Sequence, residues 1–155
     1  MKESSESVTL KLLAIESSVE LSKLQTNEVT ATDWEALSAA TGNLSSGTIE
    51  FYNRTMSGNS LDSIVKTITE TDYDLIIIDD INSIMEFERS YDNDKNIVVM
   101  NTIKQTAIDN RCPIIMLYSL NSKEIRTRQD KRPMITDLPN NSLCSYSDIV
   151  QMLYV

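Results

Sequence analysis

Between residues 61 and 79 the chain changes rhythm. Leu61, Ile64, Val65 and Ile68 recur at the spacing of one helix face, with Asn59 or Ser60 placed to cap its start. The run "DLIIID" (74–79) then loses all periodicity, as a strand buried on both faces of a parallel sheet does. The same alternation extends in both directions. Val8, Leu12 and Ile15, with Leu13 beside them, predict a helix over residues 6–15, and "ELSKLQ" a short helical turn. Thr32 stands three residues before Glu35 as in a reciprocal capping box, Trp34, Leu37 and Ala40 share the following core face, and Gly42 ends that helix. "TIEFY" (48–52) is β-branched and aromatic and reads as a strand. Ile97, Met100, Ile103 and Ala107 mark a helix that stops near Asn110, before the apolar runs "PIIMLYSL" (113–120) and "DIVQMLYV" (148–155). Strands alternating with helices predict an α/β fold with strands near 48–52, 74–79, 113–119 and 149–155 in one mostly parallel sheet and helices on its faces.

A length of 155 residues suits one domain, and 41% hydrophobic with 24% charged residues is the balance of a globular chain. No apolar run approaches the length that spans a membrane. The acidic start "MKESSESVTL" differs from a cationic, then apolar, export signal, and the distant pair Cys112 and Cys144 suits a reducing compartment, so the expected location is the cytoplasm. The chain has no histidine, which excludes the imidazole base of hydrolytic triads and the commonest zinc ligand. Net charge is −9, against bulk attraction to nucleic acid. The charge is uneven, however. In "KEIRTRQDKR" (123–132) five bases meet two acids, a local +3, and the remaining nine bases and 21 acids carry −12. Such a segment is either a solvated loop or a contact for phosphates or an acidic partner.

The stretch "DYDLIIIDDINSI" (72–84) carries the sharpest chemical question. Two carboxylates, Asp79 and Asp80, close an apolar strand, as in the magnesium-associated strand of a nucleotide hydrolase. An ordinary strand ending in a turn has the same look, because Asp bonds its own backbone there.

Several pieces in this order resemble the C-terminal RecA-like motor domain of DnaB-type replicative helicases. "LLAIESSVELSKLQTNEVTATDWEAL" is similar to the helical region after the family's nucleotide-binding loop. "DYDLIIIDDINSIM" resembles the Walker B strand and puts Asp79 at the metal-associated position; "CPIIMLYSLN" resembles the sensor strand; "RQDKRPMITDLPNNS" and "SDIVQMLYV" resemble the last motifs. The resemblance spans nearly the whole chain and implies a RecA-like sheet, incomplete relative to the full helicase domain.

The departures bear on activity. A phosphate loop needs G-x-x-x-x-G-K-[ST], and none of Gly42, Gly47 and Gly58 begins one. The resemblance starts downstream of that loop and about where the family's catalytic glutamate lies. Ser119 stands at the family's sensor glutamine, beside Tyr118 where serine is usual, Ser122 replaces an arginine, "PNNSL" replaces a Gly-containing stretch, and Val155 precedes the family's cationic finger. Three readings follow. The first is a catalytically silent remnant, of phage or mobile-element origin, with a degenerate Walker B motif, that self-associates or docks on a replicative helicase subunit or replication protein. In the second, a split helicase draws its phosphate loop from sequence outside this stretch; Met1 favours a complete frame instead. The third is a weak single-stranded DNA-binding module, with Arg126, Arg128, Lys131 and Arg132 on phosphates and no base-stacking platform. No cofactor is expected except in the split reading, which requires ATP and magnesium.

Overall fold

The structure, a computed structural model, describes residues 4–52, 58–88, 93–120, 125, 127–138 and 142–153. The chain divides into two compact units, 1–52 and 53–155, each with its own packing.

The first unit is helical: α1 (Ser5–Ser17), α2 (Leu21–Thr26) and α3 (Ala31–Ser45). The Ser4 hydroxyl accepts the Ser7 N–H to start α1, and Ser18 and Asn27 close α1 and α2 in the left-handed conformation. α1 packs on α2 and α3, and the Asn43 side chain donates to Glu16 across the α1–α3 pair at 2.8 Å. Val19, Leu37 and Ala40 are its buried apolar residues.

The start of α3 differs from the expected Thr32–Glu35 box. "TATDWE" holds two overlapping capping patterns, and the earlier one forms: Asp33 N–H donates to Thr30 Oγ1 at 3.2 Å, and Thr30 N–H to Asp33 Oδ2 at 3.0 Å. Lys23 of α2 adds an ion pair to Asp33 at 3.2 Å, which favours this register. Those bonds, the Thr30 backbone N–H first, hold the Asp33 carboxyl down at about 2, against 3.8 ordinarily. The helix runs past Gly42 to Ser45, and Trp34 is 61% exposed instead of joining Leu37 in the core.

The second unit holds the sheet. Its elements are α4 (Leu61–Glu70), β1 (Ile76–Ile78), a 3₁₀ turn (Ile81–Ser83), α5 (Met85–Glu88), α6 (Asn93–Asp109), β2 (Ile114–Met116), a second 3₁₀ turn (Ile135–Asp137) and α7 (Ser142–Ser145). Ser60 caps α4 by accepting the Ser63 N–H. β1 and β2 pair in parallel, Ile76 with Ile114, Ile77 with Ile115 and Ile78 with Met116. Ile76, Ile78, Ile114, Met116 and Tyr118 rest on a core of Leu61, Ile81, Ile84, Phe87, Val99, Met100, Ile103 and Leu143, so α4, α5, α6 and α7 serve one face. No helix among the described residues is long and apolar enough to cross a membrane.

Three expectations are corrected. The strands are not buried on both faces: Leu75, Ile77, Ile115 and Leu117 are exposed, Ile77 at 59%. Among the described residues the sheet has two strands, and neither 48–52 nor 149–153 joins it; Tyr154 and Val155 lie outside those residues. Strand composition reports how side chains suit a pleated surface, whereas a strand also needs a neighbour's backbone to take its hydrogen bonds.

Two outcomes test this packing. Ile81→Ala, at a side chain with no exposure, is expected to cost about 2–5 kcal/mol, and Ile77→Ala under about 0.5 kcal/mol, by urea unfolding. Equal losses would contradict the one-sided sheet. Removing the α3 cap by Thr30→Ala is expected to cost about 1 kcal/mol. Because the folded Asp33 value is depressed, its stabilising contribution is complete above 3.8 and fades as pH falls toward about 2. An acid-unfolding profile should lose that component in Asp33→Asn; an unchanged profile would refute the box.

Candidate functional site

Parallel strands end on the same side of a sheet, so the chain segments leaving β1 and β2 share one rim, the place where open α/β sheets bind ligands. Ile81 N–H donates to Leu117 O at 2.9 Å and holds the two exits together. Asp79 leaves β1 exposed. Asp80, joined to it through a cis peptide, is 3% exposed and caps the 3₁₀ turn: its Oδ1 accepts the Asn82 N–H at 3.1 Å and the Asn82 amide at 3.0 Å. Asp80 thus takes the part of an ordinary strand end that closes in a turn, and Asp79 is the carboxylate left facing water.

Ser119 lies beyond β2 and is exposed. Tyr118 is half-buried and meets Phe87 edge-on, ring centres 6.5 Å apart, so it serves the core. The turn after β1 is fixed by groups that carry no local sequence signal. Asn59 receives the Met85 N–H at its carbonyl and donates from its side chain to Ser83 O, both at 2.9 Å. Glu86 Oε2 accepts the Leu61 N–H at 2.8 Å, tying α5 to the start of α4 across 25 positions.

The cationic residues take different parts. Arg126, with Ser122, Lys123 and Glu124, lies outside the described residues, as do 139–141 of "PNNSL". Arg128 is half-buried and paired with Asp137. Asp137 also accepts the Met134 N–H at 2.7 Å; that bond first, and Arg128 after it, holds its carboxyl below the usual range. Asp130 accepts the Arg132 N–H at 3.0 Å. The loop 128–138 is thus tied to itself, with Lys131 and Arg132 exposed at its turn. Among the described residues, neither of these two cations is paired with Asp79 or bonded to Ser119.

These residues do not by themselves fit a magnesium–nucleotide site. Magnesium is held by one or two carboxylates together with substrate phosphates, and the phosphates need a cradle of backbone N–H groups. The 155 residues hold no phosphate-loop motif, and no three acidic or cysteine side chains converge among the described residues. Two clefts among the described residues, about 260 Å³ beside Leu61, Glu86 and Val98 and about 410 Å³ beside Leu13, Leu44 and Phe51, touch neither Asp79 nor Ser119. Burial first, then Asp74 and Asp72, pushes the Cys112 thiol up.

Comparison with known proteins gives the kinship. The DnaB-like helicase C terminal domain family matches residues 1–155. The chain is 31% identical over 157 residues to the replicative DNA helicase DnaB of Geobacillus stearothermophilus, covering 97% of this chain and 34% of that protein. It spans about a third of the length of the curated relatives it matches. A solved ATPase domain superposes with a TM-score of 0.80 at 23% identity, over 99% of this chain and 57% of the other. A DnaB-like replicative helicase solved with its primase interactions gives 0.78 at 21% identity, over 95% and 37%. These superpositions establish a RecA-like helicase fold, and with the family match running from the first residue to the last, the chain belongs to the DnaB-like helicase C-terminal domain family.

Proposed function

We propose that this chain is a DNA-replication protein without ATPase activity of its own, which works in the cytoplasm as an interaction module, docking on a replicative helicase subunit or on a second copy. The observation that carries the reading is the rim: Asp79 is exposed with no carboxylate cluster around it among the described residues, and the 155 residues contain no phosphate-loop motif. Phosphoryl transfer relies on a phosphate cradle, a metal and a positioned base acting together, so one carboxylate supplies little of it. The docking half is supported by the exposed apolar positions Leu75, Ile77, Ile115 and Leu117, since parallel sheets are ordinarily covered on both faces.

The split-helicase reading differs in one respect, that ATP and magnesium become cofactors once another polypeptide brings the phosphate loop. Its support is the short span of the relatives that this chain covers. A weak single-strand contact is the remaining reading, and the exposed pair Lys131 and Arg132 favours it; Arg128 is engaged with Asp137 and Arg126 lies outside the described residues.

Titration calorimetry with ATP and magnesium is expected to show no binding. A low-micromolar dissociation constant that disappears in Asp79→Ala would restore the enzyme. Co-elution with a full-length replicative DnaB helicase, lost in Ile77→Lys, is the expected sign of docking; no co-elution together with a strictly monomeric chain would end the module reading. For single-stranded DNA, each phosphate that a cation neutralises adds about 0.7 to the salt slope of binding, so Lys131→Ala with Arg132→Ala should reduce that slope by about 1.4. Arg128→Ala should lower thermal stability and leave the slope in place. A slope unchanged in the double variant would remove the loop from consideration.

A further inference from the structure

We draw no further inference here: the strongest candidate, the apolar cleft of about 410 Å³ that Leu13, Leu44, Ile49 and Phe51 line in the helical first unit, is an unpartnered apolar surface, and nothing in the structure shows what covers it.

Discussion

Three in-register pairs, Ile76–Ile114, Ile77–Ile115 and Ile78–Met116, are the constraint on which the second unit depends. They set one pleat for two strands, and the pleat sends Ile76, Ile78, Ile114 and Met116 onto the helices while turning Ile77 and Ile115 outward. A slip of one residue in either strand would reverse that choice. The same pairing lays both strand exits on one rim, with Asp80 drawn inward as a turn cap and Asp79 left in water. Register, core and rim are therefore one decision of the chain.

That decision leaves the other face unsatisfied. On the helix side, side chains such as Ile81, Ile84 and Ile103 are each stabilised by roughly 1.5–3 kcal/mol through burial. The opposite face gains nothing comparable, because its aliphatic positions remain exposed. The chain superposes on 57% of a solved ATPase domain and shares its fold, and Leu75, Ile77, Ile115 and Leu117 on one face of its sheet are exposed. A motor of this fold needs in addition a phosphate cradle, for which these 155 residues contain no motif.

The sequence is most legible where the physics is local. The stripe of Leu61, Ile64, Val65 and Ile68 and the Ser60 cap need only helix geometry, and "LIII" and "PIIM" read as strands from their short length and β-branched composition, while their one-sided burial is not legible. "TIEFY" and "DIVQMLYV" carry the same composition, but pairing depends on which backbone lies alongside, which no local pattern encodes. "TATDWE" offers two capping boxes, and Lys23 on another helix makes the choice. Trp34 shares a helical face with Leu37, yet a face buries only as far as a neighbouring element reaches. At the candidate site, the order of motifs points to Asp79 and Ser119, whereas the Arg128–Asp137 pair, the Glu86 cap on α4 and the Asn59 clamp bridge separations beyond any short-range rule.

Amide hydrogen exchange along β2 in dilute protein bears most directly on the one-sided, open-edged sheet. In dilute protein the Leu117 amide, bonded to Ile78 O, should be protected while those of Ile114 and Met116 exchange quickly. Uniform protection of all three amides in dilute protein would contradict the account, because it would mean that the edge is already covered within a single chain.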